Sequence, residues 1–137
     1  MSQIRVKLED AAVTEGQGIG EGKLELRIQA GDGTHTVVWP ALNSSVPLVV
    51  GAPPYPIGWE VGRYTVTAGT LSKKFDLAVT EEDGGTLGAN DLGSGSITFD
   101  LTPDMAPSDK SATINLYQPH MKKSLGQVRI RMAAQRA

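Results

Sequence analysis

Cysteine is absent from all 137 residues, which excludes a disulfide scaffold, a thiol nucleophile and a cysteine-bound zinc. Histidine occurs only at His35 and His120, too sparsely for a histidine-rich metal motif. No serine stands in a nucleophile elbow and no phosphate loop is present. Gly16, Gly18, Gly20 and Gly22 alternate, but they follow no dinucleotide fingerprint and no helical pattern comes after them. These absences leave no catalytic constellation, and the chain is read as non-enzymatic. Amphipathic helical periodicity is also missing, and no apolar run approaches about 18 residues. The N-terminus alternates too early for a signal peptide, so the expectation is a soluble, cytoplasmic chain without a cleaved leader. Lys and Arg number 13 against 15 Asp and Glu, and a net charge of −2 argues against nucleic acid as a partner.

What the chain has is period-two alternation broken by glycine and proline. Ile4, Val6 and Leu8 share one face of a first segment, and Leu24, Leu26 and Ile28 share one face of the cleanest. Gly31-Asp32-Gly33 marks a hairpin, followed by a strand over 34–39 that Pro40 stops. Further strands are predicted over 46–50, 60–68, 71–79, 95–101, 112–117 and 126–132. The apolar phase slips between Val61 and Tyr64, which predicts a bulge near Gly62. Ala52-Pro53-Pro54-Tyr55-Pro56 reads as a loop or a sheet edge, since proline cannot donate to a ladder. Glu9 to Gly22 reads as a polar, glycine-rich connection, and residues 133–137 read as a frayed tail. Trp39 and Trp59 read as core or edge packing rather than a ligand platform. The expectation is one domain over 1–137, an all-β antiparallel β-sandwich of about eight strands.

Between the alternating segments 75–79 and 96–101 the chain turns acidic and glycine-rich. Glu81, Glu82, Asp83, Asn90 and Asp91 offer oxygen donors among Gly84, Gly85, Gly88 and Gly93. Calcium takes roughly six to eight oxygens on a flexible loop and is the first ligand such a stretch suggests. An ordinary solvated hairpin loop has the same composition.

Phe75-Asp76-Leu77-Ala78-Val79-Thr80-Glu81-Glu82-Asp83, then Asn90-Asp91-Leu92-Gly93, resembles a strand, an Asp-x-Asp pair and a third Asp before an apolar-Gly pair, as found in C2 domains. Glu15 and Glu21 before Leu24-Glu25-Leu26 are similar to that family's first-loop acids. Leu116-Tyr117, Lys122-Lys123 and Gly126-Gln127-Val128 resemble its closing segment. The resemblance covers most of the chain as a pattern. It implies a C2-like sandwich that attaches to anionic phospholipid membrane under calcium control, with Glu15, Glu21, Glu81, Asp83 and Asp91 as metal ligands. Ile19 and Leu87, isolated apolar residues at expected loop tips, would dip into lipid, or else tuck beneath their own loops. Lys73 and Lys74, with Arg63, would add a basic face for acidic lipid, or else form a solvated strand end. Three of the five acidic positions carry Glu where the family has Asp, and the third loop is longer. Those departures suit the alternative, a calcium-independent structural or adaptor sandwich that assembles with a protein partner, and exposed edge strands offer a route to self-association.

Overall fold

The alternation builds two antiparallel sheets. In the computed structural model, which describes residues 2–15, 23–82, 91–117 and 126–137, nine strands appear. They are β1 Ser2–Glu15, β2 Lys23–Gly31, β3 Thr36–Trp39, β4 Val46–Val49, β5 Tyr55–Val66, β6 Leu71–Glu81, β7 Asp91–Leu101, β8 Ser108–Leu116 and β9 Gly126–Arg136. One sheet has the order β5-β1-β9-β8. The other has the order β3-β2-β6-β7, with β4 also pairing β2. No helix occurs among the described residues. The protein is therefore an all-β sandwich, and its core is the dry layer where the two inward faces meet. Leu24, Leu26, Ile28, Phe75, Leu77, Phe99, Ile130 and Met132 are essentially fully buried there. Phe75 and Phe99 meet edge-on at 6.3 Å between ring centres.

β1 is longer than its pattern suggests. Glu9 to Glu15 continues the strand instead of forming a polar connection. The cause is a bulge: Leu8 opposes Met132 on β9, but Asp10 opposes Arg131, leaving Glu9 extra. One inserted residue reverses which side chains face inward. Before it the even positions Ile4, Val6 and Leu8 are buried, and after it the odd positions Ala11 and Val13 are. A second bulge at Thr14 precedes the strand end. On β5 the extra residue is Val61, between Gly62 opposite Val6 and Glu60 opposite Lys7, beside the predicted position. Pro56 lies in β5, an edge strand whose only sheet neighbour is β1, as its missing donor requires.

The C-terminal residues are also strand rather than a frayed tail. β9 lies between β1 and β8, Ala134 is fully buried, and the Ala137 amide donates to the Gln3 carbonyl at 2.8 Å. Ala134 continues the buried phase of Val128, Ile130 and Met132, and its lack of bulk hides the period-two signal.

Hydrogen bonds stitch the two sheets together at one end on both sides. Leu92 and Tyr117 exchange two backbone hydrogen bonds of 2.8 Å, joining β7 to the end of β8. Val13 bridges Val50, and the Gly51 amide donates to the Val13 carbonyl at 2.9 Å, joining β1 to the end of β4. Gly93 is required at the first seam, because a side-chain carbon there would run into the Asn115 carbonyl and the Ile114 side chain.

At the opposite end side chains cross between the sheets: Lys110 on β8 donates to the Thr98 carbonyl on β7 at 2.7 Å, and Tyr64 reaches across from β5. Tyr64 Oη on β5 donates to Asp32 Oδ2 at 2.6 Å in the β2–β3 turn. Asp32 Oδ1 accepts from the Thr34 amide at 2.9 Å and the His35 amide at 2.8 Å. The Tyr64 hydroxyl, then the His35 amide, hold Asp32 down to about 2, while burial and then Asp32 push Tyr64 well above the usual phenol range. A lowered carboxyl stabilises the fold above its unfolded value of 3.8, and that contribution disappears as pH falls toward about 2. Tyr64→Phe should therefore cost about 1–2 kcal/mol at pH 7. The gap between variant and wild type should narrow as pH falls from about 4 to about 2 in urea titrations.

Candidate functional site

The inward phase of β6 runs Phe75, Leu77, Val79 and ends on Glu81. The inward phase of β7 runs back from Leu101 through Phe99, Ile97, Gly95 and Gly93 to Asp91. The β6–β7 ladder keeps one register along its whole length, so Glu81 and Asp91 are direct partners across it. Both point between the sheets at the stitched end, with Glu81 2% and Asp91 0% exposed. Sequence reading places these two acids on a loop, and the structure corrects this. They are terminal strand residues, because the ladder continues past Val79 to the last pair. Leu26 on β2 is Glu81's partner on its other side.

Glu82 has a different role from the one its neighbours suggest. Its amide donates to the Glu25 carbonyl at 2.8 Å, and its carboxylate is ion-paired with Arg27 on the outer face of the sheet. That oxygen donor is already neutralised.

Asp91 is not. Both of its carboxylate oxygens are buried and, among the described residues, neither accepts a hydrogen bond. Buried polar atoms are nearly always paired, and an ionised carboxylate removed from water without a donor carries a large desolvation cost. A second carboxylate directly across the ladder, roughly 4.5–5.5 Å away at the backbone, adds repulsion when both are ionised.

The other predicted site residues fall elsewhere. Glu15 ends β1 at the same end of the sandwich, exposed, with Gln127 as its strand partner. Among the described residues no group of three or more His, Asp or Glu is close enough to hold a metal ion. Glu21, Asp83, Ile19 and Leu87 lie outside the described residues. Lys73 and Lys74 sit about 26 Å along β6 from Glu81, at the far end. Being adjacent in a strand, they project to opposite faces and do not make one basic surface. The Lys73 ammonium lies 5.0 Å from the centre of the Tyr64 ring, and the Lys74 ammonium lies 3.8 Å from Asp76.

Three exposed apolar side chains at the stitched end escaped the sequence reading: Val49 at 57%, Leu92 at 50% and Tyr117 at 38% exposure. Leu92 and Tyr117 are neighbours through the bridge that joins the sheets, and they edge an open groove with Thr80, Ser94, Thr113 and Asn115. A signal for Leu92 exists in the sequence. The outward phase of β7 is Leu92, Ser94, Ser96, Thr98 and Asp100, and Leu92 is its single apolar member.

No family model matches the chain, and no curated protein matches it.

If the Asp91 carboxylate is uncompensated in metal-free protein, removing its charge should relieve the fold. Asp91→Leu, which keeps the branching of the side chain without its charge, should raise unfolding stability in the presence of chelator by roughly 1–3 kcal/mol. Chemical denaturation of both proteins in chelator checks this. An equal or lower stability of the variant would show that Asp91 is already compensated.

Proposed function

We propose that the protein is a non-catalytic binding module whose stitched end takes up calcium and docks reversibly on an anionic phospholipid surface, as its resemblance to C2 domains implies. The observation that carries this reading is the buried Asp91 carboxylate, without a hydrogen-bond donor and directly opposite Glu81. Hard cations are held by carboxylate oxygens, and a divalent ion would relieve both the desolvation and the mutual repulsion of the pair. The resemblance assigns Glu15, Glu21 and Asp83 the remaining acidic places. Val49, Leu92 and Tyr117 supply apolar surface at the same end, and each such side chain contributes roughly 1.5–3 kcal/mol when fully buried. That amount supports reversible attachment at a cytoplasmic membrane face rather than permanent anchoring.

One observation favours the calcium-independent alternative, an adaptor sandwich that assembles with a protein partner. Glu81 and Asp91 find no third acidic or histidine ligand among the described residues. The edge strands β3, β5, β7 and β8 would then be the assembly surfaces.

Thermal unfolding with calcium and with chelator, at matched ionic strength, separates the two readings. A ligand that binds only the folded state raises the midpoint once its concentration exceeds its dissociation constant. The expected result is an upward shift in the wild type, lost in Asp91→Asn, together with calcium-dependent sedimentation on phosphatidylserine vesicles. No shift up to millimolar calcium would overturn calcium control and leave the assembly reading.

A further inference from the structure

The outer face of the β3-β2-β6-β7 sheet holds an open depression of about 550 Å3. Ladder partners share a face, so Gln29, Ala78 and Ser94 form one row across β2, β6 and β7. Thr36, Gly31, Asp76 and Ser96 form the next row, across β3, β2, β6 and β7. The floor is short of side-chain bulk: Gly31 has none, and Ala78 and Ser94 rise little above the sheet. The longer Gln29 and Lys74 side chains wall it. Gly31 is required here, because a side-chain carbon would lie 2.6 Å from both the Thr36 hydroxyl and the His35 carbonyl.

Gln29, Thr36, Lys74, Asp76, Ser94 and Ser96 all line this depression and are all exposed. Among the described residues their side chains hydrogen-bond to no other group, and Lys74 and Asp76 share only a loose contact of 3.8 Å. Charge decides what such a surface accepts. An anion meets Asp76 and a cation meets Lys74, so neither is favoured. An apolar ligand would strip water from these polar groups without replacing their hydrogen bonds. A neutral ligand rich in hydroxyl groups replaces them, because each hydroxyl both donates and accepts. Strands lie roughly 4.8 Å apart, so a ring placed over Ala78 reaches Gln29 on one side and Ser94 on the other.

We infer that this depression binds a carbohydrate. The Asp76 carboxylate accepts from two neighbouring hydroxyls of one sugar ring, and such charge-assisted hydrogen bonds are the strong ones. Lys74 and the Gln29 amide donate to hydroxyl oxygens, and the Ser94 and Ser96 hydroxyls do either. The site is separate from the stitched end and does not depend on what binds there.

NMR titration of the labelled full chain with the methyl glycosides of glucose, galactose, mannose and N-acetylglucosamine tests the site. Glycerol at equal hydroxyl concentration is the reference. The expected result is a saturable shift of the Gln29, Ala78, Ser94 and Ser96 amides with at least one glycoside below about 50 mM. Asp76→Asn keeps the shape without the charge and should weaken binding about tenfold or more. Ala78→Met fills the floor and should abolish binding while leaving both charges in place. Asp100→Asn, on the same face beyond the depression, should leave the affinity unchanged. Unaltered amide spectra elsewhere would confirm that each variant folds. Saturation by none of the glycosides, a drift matched by glycerol, or equal affinity in Asp76→Asn would overturn the proposal.

Discussion

The unbroken register of the β6–β7 ladder is the constraint on which the rest of this structure depends. Eleven residues of β6 pair one-to-one with eleven of β7, from Leu71 opposite Leu101 to Glu81 opposite Asp91. Because side chains alternate with period two, the phase set by Phe75 and Phe99 in the core is carried without interruption to the end of the ladder. Glu81 and Asp91 therefore inherit an inward direction from aromatic residues several positions away. A one-residue slip in the phase of either strand would turn that strand's carboxylate to solvent and separate the pair. The chemistry of the stitched end is thus a consequence of hydrophobic phase in the middle of the sheet.

β1 works by the opposite device. Its bulges at Glu9 and Thr14 reset the phase, so that a strand of fourteen residues can curve along the sandwich and still bury Ile4, Leu8, Ala11 and Val13. The same strand carries Arg5 outward at one end and reaches Val50 at the other. The Leu92–Tyr117 and Val13–Val50 bridges hold the two sheets together at the end where β1, β4, β6 and β8 finish and β2, β5, β7 and β9 begin. The strain of bringing two flat layers this close is relieved by Gly93, which has no side chain to meet β8.

Several charges on this molecule are neutralised in place. Arg27 with Glu82, Arg131 with Asp10 and Asp109, and Asp32 with the Tyr64 hydroxyl each use a partner distant in sequence, and Arg63 uses Glu60 three residues before it. Exposed pairs of this kind contribute little to stability, but they show which charges remain unpaired. Two groups stand apart: the Asp91 carboxylate, buried and without a donor, and the Arg5 Nε–H, buried and without an acceptor. They lie in different sheets, one facing inward and the other outward, and have opposite sign.

Local pattern was sufficient for the fold class. Leu24, Leu26 and Ile28, Phe75, Leu77 and Val79, and Val128, Ile130 and Met132 declare half-buried strands, because a one-sided sheet face imprints its period directly on the residues. The bulge beside Gly62 was legible for the same reason, as a slip in that period. The second half of β1 and the end of β9 were not. At Glu9 the phase reverses without a local signal, and at Ala134 the core takes a small residue that carries little hydrophobic contrast. The identities of Glu81 and Asp91 stood out as oxygen donors beside glycine, but their burial and mutual opposition did not. Nor could the unpaired state of Arg5 be read along the chain, because its neighbours Arg63 and Gln135 are 58 and 130 positions away in sequence. The sequence alone determined which residues can face a core, since that depends on each strand's own periodicity. Tertiary structure alone decided which charges find partners, since pairing depends on strand order and register, and both are set by contacts between segments remote along the chain.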